Sequence, residues 1–159
     1  MSLFKERKGA KMPVDRSLIG KKTNVHVVDV EKGHIRRFAE AVGDPSPLYV
    51  DEAFAESTPF RGLIAPPTFA TTLARVIPGP LADVPGFDLH RVLHGEQEYV
   101  FHRPMRPGDR YWVQQEVIDV YDRAGRSGRM TFIVIETRAK DINDLPVVTG
   151  RETIIYRQD

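Results

Sequence analysis

The sequence predicts an α+β domain in which helical segments come first and long antiparallel strands follow. Three observations lead there. Apolar residues recur at helical spacing from His34 to Val42 and again after Pro66-Pro67. From Val92 onward the pattern changes to period-two alternation, in blocks rich in β-branched and aromatic residues. The stretch between the helical segments, residues 44–65, is broken by prolines and turn residues.

Each element has its own cause. Asp15–Lys22 is a turn-rich entry, and Asn24–Val30 is a β-branched run that reads as a strand. Ile35, Phe38, Ala39 and Val42 then share one helical face, with Arg36, Arg37 and Glu40 opposite. Gly43 is placed to cap that helix, since glycine tolerates a left-handed backbone. Asp44-Pro45-Ser46-Pro47 is excluded from helix by two residues without a backbone donor. Asp51 can cap one short turn ending at Glu56, and Ser57–Ala65 reads as loop. Pro66-Pro67-Thr68 opens the next helix, with Phe69, Thr72, Leu73 and Val76 on one face, and Pro78-Gly79-Pro80 closes it.

After a crossing loop at 82–88, strands are expected at Val92–His102, Arg110–Tyr121, Arg129–Lys140 and Pro146–Tyr156. In the second, Trp112, Gln114, Glu116, Ile118 and Val120 fall on one face, and Tyr111, Val113, Gln115, Val117 and Asp119 on the other. Arg123–Gly128 and Asp141–Leu145 read as hairpin loops, and Gly108-Asp109 as a turn.

Composition narrows the function. The 159 residues suffice for one domain with a real core; residues 1–14 read as a flexible tail and 15–159 as the domain. A formal net charge of +1 gives no bulk electrostatic case for nucleic acid or a membrane surface. With no cysteine there is no disulfide, thiolate or cysteine metal site, which is compatible with a cytoplasmic location. No apolar run approaches the roughly 20 residues of a membrane span, and MSLFKERKGAK lacks the apolar core of a signal peptide. No histidine pair stands with a carboxylate at metal-ligand spacing, so neither a metal nor another cofactor is expected.

Phe38–Asp51 (FAEAVGDPSPLYVD) followed by Phe60–Pro67 (FRGLIAPP) resembles the hydratase motif of the MaoC-like, (R)-specific enoyl-thioester hydratase/dehydratase family, in its N-terminal MaoC-like dehydratase domain branch. The likeness runs from about Leu18 to the C-terminus. It implies a single hot-dog fold, a long central helix wrapped by a curved antiparallel sheet. It also implies a 2-enoyl or (R)-3-hydroxyacyl thioester as substrate, carried on coenzyme A or an acyl carrier protein. In that family an aspartate and a histidine five positions apart handle the proton and the water. A backbone N–H at the start of the central helix holds the thioester oxygen.

This chain matches that pattern only in part. The aspartate is Asp44, the next motif position is Ser46, and Pro47 and Leu48 agree. The histidine position is Tyr49, whose phenol, with an unperturbed pKa of about 10, is a poor base at neutral pH. Where the family has His-Gly, this chain has Pro66-Pro67, and Pro67 has no N–H to donate. Asp44 and Tyr49 are the catalytic candidates; Ser46, Phe60, Pro67, Thr68, Phe69 and His94 are candidates for substrate binding. Arg36, Arg37, Arg61, Arg103 and Arg106 are candidates for the phosphates of a carrier.

The substitutions imply a subunit that shapes the acyl site beside a catalytic hot-dog partner. Three alternatives stand beside it: a non-enzymatic module that binds acyl thioesters or stabilises a partner, a self-sufficient homodimeric hydratase with variant chemistry, and a thioesterase. Hot-dog domains pair through their sheets, so the resemblance implies a homo- or heterodimer.

Overall fold

The computed structural model describes residues 14–125 and 128–157. The expected tail lies outside them except for Val14, which is 2% exposed and joins the core cluster of Val117, Val120 and Ile133. The tip of the RAGRSG hairpin, residues 126 and 127, also lies outside.

The chain forms strand β1 (His26–Asp29), helix α1 (Lys32–Ala41) and helix α2 (Glu52–Ser57). A 3-10 turn at Pro67–Ala70 runs directly into helix α3 (Thr71–Arg75). Strands β2 (Val92–Phe101), β3 (Arg110–Gly125), β4 (Gly128–Lys140) and β5 (Pro146–Arg157) complete it. All five strands join one antiparallel sheet in the order β1-β3-β4-β5-β2. Phe69, Ala70 and Leu73 are buried in one cluster with Tyr111 and Val113 of β3, Ala139 of β4 and Val148 of β5. Fully burying a side chain such as Phe69 or Leu73 contributes about 1.5–3 kcal/mol. This contact is what ties the helical half of the chain to the sheet.

The central helix is shorter than expected: a four-residue 3-10 turn followed by five α-helical residues. Prolines confine it at both ends, Pro66-Pro67 before and Pro78 after. Val76, expected on its buried face, is 55% exposed as the C-cap, and Ile77 is buried in its place. Val42 likewise proves to be the exposed C-cap of α1, while Ile35 and Ala39 are buried as expected. Gly43 follows with φ of 68°, the left-handed value that only glycine adopts freely. Asp51 caps α2 by accepting from the N–H of Phe54 at 3.0 Å.

Strict alternation along β3 fails at one place. The register against β4 shifts between Val117 and Asp119, so Ile118 is an extra residue. Before it, Tyr111, Val113, Gln115 and Val117 face the core. After it, Val120 turns inward and Asp119 outward, reversing the faces expected for both. The sheet has unequal edges. β1 is four residues long, whereas β2 offers ten, with Leu93, Val100 and Phe101 exposed.

Candidate active site

The motif residues converge where α1 ends. Gly43 turns the chain, the N–H of Asp44 donates to the carbonyl of Ala39 at 2.9 Å, and Asp44 Oδ1 accepts from the N–H of Ser46 at 3.2 Å. The prolines that forbid helix at 44–47 give way to a 3-10 turn, Pro47–Tyr49, which carries Tyr49 back toward Asp44. Tyr49 is 8% exposed, and its hydroxyl meets the side chains of Asp44 and Ser46. Burial chiefly raises the phenol above its ordinary pKa of 10.0, helped by the Asp44 charge and hydrogen bond and opposed by Ser46. A cavity of about 590 Å³ opens here, lined by Arg36, Glu40, Asp44, Ser46 and Val50 among others. Asp44, Ser46 and Tyr49 are therefore one constellation: a carboxylate that accepts from a backbone amide and stands beside a phenol held protonated.

The other candidates separate. Pro67 and Thr68 are exposed at the head of the central helix, above the buried Pro66. The N–H of Phe69 is spent on the carbonyl of Pro66 at 2.9 Å. Phe69, expected at the substrate, is instead core. It is 1% exposed, and its ring meets those of His34 and Phe38 edge-on, with centroids 5.0 and 5.4 Å away. Phe60 is half-buried against the same cluster, and its carbonyl accepts from Arg106 at 2.6 Å. Phe54, on α2, is 44% exposed.

His94 belongs to a second cavity, which shares no lining residue with the first. This cleft of about 470 Å³ lies between α3, the loop at 79–89 and the sheet. Its apolar walls are Leu81, Phe87, Val92, Ile135 and Ile154. Thr71, Arg75, His94, Gln97, Gln115 and Glu152 are its polar members, and His94 Nε2 stands 4.0 Å from the Glu152 carboxylate. Sequence reasoning did not propose Gln115 or Glu152 as site residues. For Gln115 there was a signal: it is the polar member of the inward row Tyr111, Val113, Gln115, Val117.

Asp109 was also missed, having been read as part of a turn. One of its oxygens, Oδ2, accepts from Arg103 at 2.9 Å, from the N–H of Arg106 at 2.9 Å, and from the hydroxyl of Tyr111. Arg103 reaches Asp141 as well, at 3.7 Å. Arg103 and Arg106, two candidates for carrier phosphates, are thus engaged in holding the turn; Arg36, Arg37 and Arg61 are exposed. Among the described residues no group of three or more His, Cys, Asp or Glu is placed to hold a metal ion, and no helix is long and apolar enough to cross a membrane.

A helix set on one face of a five-stranded antiparallel sheet, with an aspartate turn before it, is the architecture of hot-dog dehydratases. The HadBC (3R)-hydroxyacyl-ACP dehydratase complex of Mycobacterium tuberculosis superposes with a TM-score of 0.74 at 24% identity, covering 91% of this chain and 99% of that chain. A MaoC-like dehydratase superposes with a TM-score of 0.77 at 23% identity over 88% of this chain but only 42% of its own length. The (R)-hydratase of A. caviae gives 0.66 at 21% identity, over 86% of this chain and 94% of that one. The model of the FAS1-like, dehydratase domain region matches residues 17–150, and the chain belongs to that family. Among its relatives is a UPF0336 protein of Saccharopolyspora erythraea, 37% identical over 92% of this chain and 93% of the relative. Another, from Thermobifida fusca, is 30% identical over 93% and 97%.

Proposed function

We propose that this chain is the histidine-lacking subunit of a two-hot-dog 2-enoyl/(R)-3-hydroxyacyl-thioester hydratase/dehydratase, shaping the acyl site beside a catalytic partner. The observation that carries the reading is Tyr49, buried at the histidine position, with its phenol pushed above its ordinary pKa by burial and by the nearby Asp44 charge. Hydration of a 2-enoyl thioester needs a group that takes a proton from water and one that returns a proton to the α-carbon. A phenol whose pKa is raised above 10.0 does not take that proton at neutral pH. At the oxyanion position Pro67 has no N–H, and loss of one such donor costs about 2.7–4 kcal/mol where it has been tested. Both halves of the machinery are thus impaired in this chain, while the fold around them is kept.

Two further observations support the pairing. The solved neighbours include complexes of two different chains, HadBC and ChsH1–ChsH2 of Mycobacterium tuberculosis, and a MaoC-like dehydratase of which this chain covers 42%. The long β2 edge, unpaired on its outer side among the described strands, offers ten residues of backbone for a second sheet. A catalytic hot-dog chain docked there would supply the missing histidine and helix-start glycine.

The test follows loss of the conjugated-thioester absorbance of short and medium 2-enoyl-CoA substrates. The chain alone is expected to be inactive. Mixed with a hot-dog chain that keeps the histidine and glycine, it is expected to restore turnover, and Asp44→Asn should leave that turnover in place. Robust turnover by the chain alone, abolished by Asp44→Asn, would overturn the reading in favour of a self-sufficient hydratase.

A further inference from the structure

The open edge of the sheet carries charge of one sign. The strand β2, VLHGEQEYVF, holds two glutamates and no lysine or arginine. Its register against β5 sorts the side chains, because directly opposed residues share a face. His94 and Gln97 stand opposite Ile154 and Glu152 and line the cleft on the helix side of the sheet. Glu96 and Glu98 stand opposite Thr153 and Arg151 on the outer side, flanked there by Leu93 and Val100.

Neither glutamate is balanced within the sheet. Glu98 lies near Arg151, but the Arg151 Nε donates to Glu136 on β4 at 2.7 Å. Glu96 is exposed and, among the described residues, has no hydrogen bond or ion pair from its carboxylate. A second copy of the chain fits this edge poorly. Pairing β2 with itself about a twofold axis keeps the outer faces together, and the fullest overlaps centre on Glu96, Gln97 or Glu98. The first sets Glu96 against Glu96, the second sets Glu96 against Glu98 twice, and the third sets Glu98 against Glu98. Like charges directly opposite each other destabilise a strand pair, and a second β2 brings no lysine or arginine to relieve them.

We infer that Glu96 and Glu98 are partner-selecting residues: the β2 edge rejects a second copy of this chain and takes a protein strand that carries lysine or arginine at two positions two residues apart, opposite the two glutamates. The exposed Leu93, Val100 and Phe101 at the ends of the strand ask for apolar residues on either side of that basic pair. Specificity then comes from repulsion of the wrong partner as much as from attraction of the right one. That the basic strand belongs to the catalytic hot-dog chain rests on the reading above. The rejection of a second copy does not rest on it and is measured without a substrate.

The chain itself can supply the basic edge for the experiment. Sedimentation equilibrium compares the parent, the double variant Glu96→Lys/Glu98→Lys, and their equimolar mixture. At about 0.05 M salt the mixture is expected to associate about tenfold more tightly than either chain alone, because the opposed pairs change from repulsive to attractive. At about 0.5 M salt, where exposed charges are screened, that advantage should fall to about twofold or less. Amide hydrogen exchange slowed along residues 92–101 in the mixture places the contact on β2. Glu96→Gln/Glu98→Gln removes the charge with little change of shape and serves if the lysine variant does not fold; it should self-associate about threefold or more above the parent. A parent that self-associates as tightly as the mixture, a glutamine variant no tighter than the parent, an advantage indifferent to salt, or protection absent from 92–101 would each overturn the inference. None of these outcomes bears on whether a histidine-bearing chain restores turnover, so the two readings fail separately.

Discussion

Two regions of this molecule set a tyrosine hydroxyl against an aspartate carboxylate, and they do opposite things with it. At the turn before β3, Asp109 Oδ2 accepts from Tyr111, Arg103 and the N–H of Arg106, so a guanidinium balances its charge and three donors converge on one oxygen. At the end of α1, Asp44 accepts from the N–H of Ser46 and meets Tyr49 and, among the described residues, has no ion-pair partner. Both tyrosines are held protonated above their ordinary pKa, in each case first by burial and then by the neighbouring carboxylate. The difference lies in the carboxylate. Both are partly buried, but Asp109 is ion-paired with Arg103 at 2.9 Å, whereas Asp44 lies beside a cavity of about 590 Å³. A carboxylate paired with a cation holds structure together; one beside a cavity and without such a pair is available to something from outside.

The comparison sharpens most at Tyr49. Replacing it with histidine while Pro67→Gly restores a helix-start N–H should bring hydratase turnover at least about a hundredfold above either single change, measured on 2-enoyl-CoA. Equal activity in a single variant and the double would show that the two losses are not jointly limiting. Next in size, Asp109→Ala removes the acceptor of three donors, one of them charged. A loss of about 2–3 kcal/mol is expected from denaturant unfolding, with the slope unchanged.

Tyr111→Phe is milder, about 1 kcal/mol at neutral pH. Its pH dependence tells more. The phenol of the unfolded chain ionises near its ordinary 10.0, while folded Tyr111 keeps its proton to higher pH. Its contribution is therefore fully present below pH 10 and falls as pH climbs above it, because only the unfolded state loses the proton. The phenylalanine variant should show a shallower loss of stability between pH 10 and 11.5 than the parent. The smallest effect is expected at the open carboxylate: Asp44→Asn keeps an acceptor for Ser46 and should change stability by no more than about 0.5 kcal/mol. A loss near that of Asp109→Ala would mean that Asp44 is a second structural knot, and the contrast between the two regions would collapse.

Much of this was legible in the chain because local rules settled it. The prolines at 45 and 47 had to end the first helix, Gly43 had to take the left-handed turn, and Asp51 had to cap what followed. The β-branched alternation after Val92 could only be strands, and the motif from Phe38 to Pro67 carried the family resemblance that the comparisons bear out. What sequence could not see was decided by partners far along the chain. The bulge at Ile118 depends on β3 matching β4, so no count along β3 alone reverses Val120 and Asp119. Phe69 looked like a pocket wall until α1 was placed beside it and His34 and Phe38 closed on its ring. Arg103 and Arg106 looked like free cations until Asp109 and Phe60 took them. The sequence by itself determined where the chain bends, which segments are helix or strand, and that Tyr49 and Pro67 stand where the family resemblance expects a histidine and a glycine, since these follow from the residues themselves. The tertiary structure alone decided which carboxylate gathers a guanidinium and two further donors, which cavity holds His94, and that Gln115 Oε1 is buried without a hydrogen-bond donor among the described residues, since burial and hydrogen-bond satisfaction are properties of neighbours in space.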